Sequence, residues 1–262
     1  MKRLTAVLKA TGGAGHTRGG RVARVAVMLA ALLVTIPLAA GPAAAAPNPI
    51  VGGEIQSDAD GLAAVLVDGG LQCTGSIVSN YWVLTARHCL YDLNGNRIAD
   101  SRLSVRVKSI YWNTGGGVVH VATSRVRTSH DIAMLKLDRS ANAESVRLPT
   151  ATTKVGATTY AFGWGVTCYR YCDPSPRLVR ATQYVVSIDS TDAYGGRAIR
   201  TTGINGNVCN GDSGGPLFKL VDGLRYQVGV LSNGDRYCQG NGDNWATVPE
   251  SRDWILNVMA TV

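Results

Sequence analysis

Helical periodicity surfaces convincingly once along these 262 residues, and late. Trp254, Ile255, Val258 and Met259 form an i, i+1, i+4, i+5 stripe after Pro249, with Glu250 and Asp253 near the positive helix start. From Ile50 up to that stripe, apolar residues come in short runs broken by Gly, Asn and Asp. Leu103 to Lys108 alternates cleanly. Leu62 to Val67, Tyr81 to Leu84, Tyr184 to Ile188 and Tyr226 to Leu231 are further candidate strands, several rich in β-branched or aromatic residues. Many regularly spaced strands with one terminal helix predict an all-β barrel or sandwich. A hydrophobic content of 45% is ample for its core.

The first 46 residues have a different chemistry. Lys2, Arg3, Lys9, Arg18, Arg21 and Arg24 precede the apolar run Val25 to Ala40 and then the small residues Gly41 to Ala46, the order of a secretory signal. At about 16 residues, broken by Pro37, the run is short for a membrane span of ~20. Cleavage near 45/46 is the expectation, with 47–49 as a short propeptide. The formal charge of +8 belongs to this leader, because 20 Lys and Arg face 18 Asp and Glu from Ile50 onward. That near balance gives no argument for nucleic acid. Export makes disulfides the default for Cys73, Cys89, Cys168, Cys172, Cys209 and Cys238, although spacing alone leaves fifteen pairings open.

Gly211-Asp212-Ser213-Gly214-Gly215-Pro216 is a backbone arranged for chemistry. Ser213 is the candidate nucleophile, and the amides of Gly211 and Ser213 are candidates to face the oxygen that becomes negative during attack on a carbonyl. A serine hydroxyl needs a base to take its proton, so a histidine and a buried carboxylate are expected elsewhere. His88 ends the stretch that begins at Tyr81 and precedes Cys89, which would clamp its loop. Asp131 opens Asp131-Ile132-Ala133-Met134-Leu135, where a carboxylate is costly to bury without a partner such as a histidine N–H. Singly, His88 reads as a structural histidine and Asp131 as a turn or strand-edge residue. His130 reads as a surface bystander. The serine motif also fits the elbow of α/β-hydrolases, but that fold places its histidine after the serine. None follows Ser213 here.

Ile50-Val51-Gly52-Gly53, Thr85 to Cys89, Asp131 to Leu135, Gly163-Trp164-Gly165 and Gly211 to Pro216 together resemble the chymotrypsin/trypsin family of serine peptidases. They stand in the family's order and cover essentially all of residues 50–262. The resemblance implies an all-β fold of two six-stranded antiparallel β-barrels with a C-terminal α-helix, divided near 150–160. His88 and Asp131 would come from the first barrel and Ser213 from the second, as base, orienting acid and nucleophile, with Gly211 and Ser213 as oxyanion hole. It further implies that the amine of Ile50, once freed, pairs with Asp212 and orders that loop. Family zymogens often carry a basic residue before the cut, whereas Pro49 stands here. Stepwise removal of Ala46-Pro47 and Asn48-Pro49 as X-Pro dipeptides is the expectation.

By the same resemblance, Ser232, Asn233 and Gly234 form the edge that pairs with an extended substrate. Asn207 floors the primary pocket where trypsin-like members carry aspartate, and Asp243 aligns near the opposite wall. Asp243 would either receive an Arg or Lys side chain or be satisfied by Asn207, with a slight lean against strict trypsin-like preference. Cys73–Cys89 and Cys209–Cys238 match family bridges, Cys168–Cys172 is left as a small loop, and Arg200 stands where many relatives have cysteine. No cofactor or metal is expected. No spacing suggests zinc, and Asp92 to Asn96, with Asp100 after it, has the outline of a calcium loop but reads as a polar turn. The expected protein is a secreted, extracellular, monomeric serine endopeptidase acting on extended polypeptides and open to protein protease inhibitors, with no membrane partner after signal cleavage. The long leader and short pro-region fit a bacterial secreted protein. The competing reading is a non-catalytic binding protein on the same fold.

Overall fold

The computed structural model describes residues 50–169 and 171–262, so the expected signal segment and propeptide lie outside the described residues. The first seven strands are β1 (Glu54–Ile55), β2 (Leu62–Val67), β3 (Gly70–Ser79), β4 (Trp82–Thr85), β5 (Leu103–Val107), β6 (Gly117–Arg127) and β7 (Ile132–Leu137). Six of them close into a barrel in the order β2-β3-β4-β7-β6-β5. All its pairings are antiparallel, with Val65 of β2 between Cys73 of β3 and Val105 of β5. Val65, Val83, Leu84, Val105 and Leu135 are fully buried within it. Each strand is too short to hide its apolar face alone, and closure removes the sheet edges that would otherwise stay unpaired.

The second barrel is built from β8 (Thr158–Gly163), β9 (Val179–Thr191), β10 (Arg197–Asn205), β11 (Pro216–Val221), β12 (Leu224–Asn233) and β13 (Asp243–Thr247). They run β9-β10-β13-β12-β11-β8, and β8 pairs back to β9 to close the ring. β1 adds to β9 through Glu54 and Arg180. Two closed six-stranded antiparallel barrels are therefore present. β9 is longer than the candidate strand Tyr184 to Ile188, because buried Gln183 hides its periodicity. That amide is satisfied inside the barrel, where Thr201 Oγ1 donates to its Oε1 at 2.9 Å.

Helix α1 (Val248–Thr261) follows β13 directly, with Pro249 in its first turn. Ile255 and Val258 are buried, and Trp254 and Met259 pack beside them, as the stripe predicts. Among the described residues no helix is long and apolar enough to cross a membrane. The barrels are tied by polar contacts: Thr74 N donates to Ser213 O at 2.9 Å, and Ser76 Oγ to Gln227 Oε1 at 2.6 Å. The cysteines are joined as Cys73–Cys89, Cys168–Cys172 and Cys209–Cys238.

Candidate active site

His88 begins a single 3₁₀ turn (His88–Leu90) after β4, and Asp131 immediately precedes β7. β4 and β7 are neighbours in the first barrel, so their ends bring the two residues together. His88 Nδ1 lies 2.7 Å from Asp131 Oδ2, and the His88 amide donates to Asp131 Oδ1 at 2.9 Å. The Asp131 side chain is wholly buried, whereas 32% of the His88 side chain is open. Since an ionised carboxylate only accepts hydrogen bonds, Nδ1 carries the proton and Nε2 is left as the basic nitrogen.

A third donor on Asp131 was not legible in the sequence. Ser232, at the end of β12, donates from its hydroxyl to Asp131 Oδ2 at 2.7 Å, and accepts from the Ala193 amide at 3.0 Å. Another unforeseen carboxylate, Asp192, accepts the Asp131 amide at 2.9 Å. His130 departs from expectation too. It is 8% exposed and not a surface residue, with Nε2 3.5 Å from Glu250 Oε2, because the β9–β10 turn and the start of α1 close over it.

Ser213 shares a cleft of about 310 Å³ with His88, Ser232, Asn233, Gly234 and Asp243. Among the described residues the His88 ring meets Asp131 Oδ2 and Cys89 Sγ, and Ser213 Oγ makes no hydrogen bond to it. The neighbouring amides are sorted. Asp212 N donates to Cys209 O and Gly215 N to Asp212 O, while those of Gly211 and Ser213 have no acceptor among the described residues. Gly211 adopts φ +95°, a conformation natural only to glycine.

Asp212 turns inward. Its carboxylate accepts the amides of Gly165 at 2.7 Å and Cys209 at 2.9 Å. A Cβ at Gly163 or Gly165 would run into it, which accounts for the glycines flanking Trp164. Burial pushes this carboxyl up to about 7, against those two amides. Among the described residues it forms no ion pair. Ile50 is fully buried among second-barrel residues such as Val179, Val208 and Leu217. Next to it, Val51 O accepts the Asn207 amide at 3.0 Å.

That pairing bears on Asn207, whose side chain lies against Gly203 and Gly240 and does not line the cleft. Asp243 does. It is 1% exposed, and its Oδ2 has no hydrogen-bond partner. Burial raises its carboxyl to about 7, while the Asp235 amide and the Arg200 charge pull the other way. Arg200 donates to Asn241 O at 3.3 Å. Cys73, His88 and Cys89 bring ligand-type atoms within 4.8 Å of one another, but the two sulfurs are bonded together and offer no thiolate. Asp92 spends its carboxylate on the amides of Asn94 and Asn96 within its own turn.

The family model described as Trypsin matches residues 50–255. The chain belongs to the trypsin family. Trypsin theta of Drosophila erecta is 33% identical over 213 residues, covering 72% of this chain and 77% of the relative. Trypsin alpha-4 of Lucilia cuprina is 33% identical over 218 residues, covering 74% and 80%. Human heparin binding protein superposes with a TM-score of 0.68 at 23% identity, over 81% of this chain and 98% of that one, a likeness of fold. Both trypsins come from insects, and neither supports the expectation of a bacterial source. For a trypsin-family chain, a base and a serine in one cleft, with two unspent amides in the loop of that serine, can carry acyl transfer.

Proposed function

We propose that this trypsin-family protein is an exported serine endopeptidase that cuts extended polypeptides through an acyl-enzyme. The observation that carries the reading is the 2.7 Å His88–Asp131 contact, made by an imidazole that shares its cleft with Ser213. His88 Nε2 takes the Ser213 proton as Oγ attacks the scissile carbonyl, then returns it to the leaving amine. Asp131 holds the imidazole in the required tautomer and stabilises its charged form. The oxyanion is met by the Gly211 and Ser213 amides, and Ser232, Asn233 and Gly234 offer the edge along which substrate lies. Water then repeats the sequence on the acyl-enzyme.

Two finer assignments belong to this reading. Asp243, and not Asn207, receives the side chain before the cut, and a buried carboxylate oxygen without a partner selects a cation, Arg or Lys. Removal of residues 1–49 frees the Ile50 amine to pair with Asp212, whose buried carboxylate is otherwise held by amides alone. Ser213→Ala tests the whole. The wild-type mature protein should hydrolyse peptides and be covalently labelled by a fluorophosphonate at Ser213, and the variant should do neither. A folded wild type starting at Ile50 that is not labelled would favour the binding-protein alternative.

A further inference from the structure

Acyl transfer by His88, Asp131 and Ser213 makes no direct use of Asp192, a carboxylate only 6% exposed. It follows β9 and opens the turn that returns the chain to β10. Its Oδ1 accepts the amides of Tyr194 at 2.8 Å and Gly196 at 2.9 Å, so this oxygen serves the turn itself. Its Oδ2 accepts the amide of Asp131 at 2.9 Å, from the other barrel. The next residue makes a second connection. Ala193 N donates to Ser232 Oγ, and that hydroxyl donates to Asp131 Oδ2. A third follows, with the Arg87 guanidinium, next to His88, 3.9 Å from the centre of the Tyr194 ring.

One turn of the second barrel therefore grips Asp131 by its backbone nitrogen and, through Ser232, by its carboxylate. The packing leaves little slack: a Cβ at Gly196 would come within 2.6 Å of both Asp192 Oδ2 and the His130 ring. The other charged groups nearby make their direct contacts elsewhere, although the Arg127 charge is also felt by Asp192. Arg197 reaches Glu250 Oε1 at 3.1 Å, His130 faces the other oxygen of Glu250, and Arg127 donates to the Glu250 carbonyl at 2.8 Å. Asp192 Oδ2 is left to the Asp131 amide.

We propose that Asp192 is a positioning residue for the His88–Asp131 pair, fixing the acid's backbone from across the barrel interface so that its carboxylate meets His88 and Ser232 together. The proposal rests on the peptidase reading. Misplacement of a catalytic group by about 1 Å can cost on the order of 10²-fold in rate, so the effect should appear in kcat and leave substrate binding alone.

Asp192→Asn is the informative variant, because asparagine also caps such turns. Its Oδ1 can keep the amides of Tyr194 and Gly196, while its NH2 then opposes the Asp131 amide, donor against donor. Mature wild type, Asp192→Asn and Asp192→Ala would be compared by fluorophosphonate labelling, kcat and KM on one peptide from pH 5 to 9, and thermal unfolding. The expected result is a fall in kcat of roughly 10- to 100-fold with KM within about twofold, and a downward shift of the acidic limb of the kcat/KM profile. A lowered Tm with kcat and that limb unchanged in Asp192→Asn would overturn the proposal and leave Asp192 a turn cap. If Asp192→Ala does not fold, Asp192→Asn decides alone. A wild type neither labelled nor active would sink the peptidase reading itself, a result distinct from an active wild type with an equally active Asp192→Asn.

Discussion

The carboxylate of Asp243 stands so close behind Gly234 that a single added Cβ there would run into it. Gly234 thus keeps the cleft open over a buried charge whose Oδ2 has no partner. Removing one member of a buried, hydrogen-bonded charge pair costs about 2–5 kcal/mol. Asp243→Ala should therefore lower kcat/KM for Arg- and Lys-containing peptides by roughly 10²- to 10³-fold, while kcat/KM for a matched apolar peptide changes far less. Asn207→Ala should leave that preference in place, since its side chain faces Gly203 and Gly240. A cleavage profile of the two variants against one peptide library checks both.

The same carboxyl predicts a pH dependence. Burial raises Asp243 from 3.8 to about 7, so it is protonated on the acid side of that value. Cleavage after basic residues should fall as pH drops through about 7, more steeply than cleavage after apolar ones. Stability runs the opposite way. A carboxyl with a folded pKa above its unfolded one adds a favourable contribution that is complete below pH 3.8 and lost as pH rises through about 7. Asp243→Asn should then stabilise the substrate-free protein at pH 8, by up to roughly 4 kcal/mol at 1.36 kcal/mol per pKa unit, and make little difference at pH 4. Denaturant unfolding at the two pH values measures this.

Asp212 predicts how the protein is switched on. A carboxyl raised to about 7 by burial calls for a cation, and the Ile50 amine can supply one. Protein retaining residues 46–49, or carrying Asp212→Asn, should lose about 10²- to 10³-fold in kcat, the scale of one missing oxyanion donor. N-terminal sequencing beside active-site titration tests this. A fully active protein that begins at Ala46 would refute it.

Cys73–Cys89 joins β3 to the turn holding His88, across 16 residues. Closing a loop of that length is worth about 3 kcal/mol in the chain-entropy picture. A Cys73→Ala, Cys89→Ala double variant should lose stability of that order in denaturant titration, and lose kcat beyond it as the His88 turn loosens.

Much of this was readable along the chain because its causes are local. The unbroken apolar run at Leu62–Val67 records a strand buried on both faces, the alternation at Leu103–Val107 marks Leu103, Val105 and Val107 as buried, and the stripe from Trp254 to Met259 records the inward face of the helix. The serine motif was legible for the same reason, since the glycine at 211 is demanded by its own φ. Buried polar residues broke the pattern, and Gln183 concealed half of β9.

His88, Asp131 and Ser213 were nominated by residue type, order and family resemblance, and the barrel architecture with its terminal helix by strand spacing and the same resemblance. What only the tertiary structure decided are relations between distant positions. Ser232 reaches Asp131 across 101 residues and Asp192 reaches it across 61. No sequence pattern encodes those contacts, because each depends on how two closed barrels dock. Whether Asn207 or Asp243 faces the cleft is likewise a matter of which way a side chain leaves its backbone. Residue type and period state what must be buried or paired. Packing in three dimensions selects the partner, because burying a carboxylate without donors is costly and each donor it gains lowers that cost.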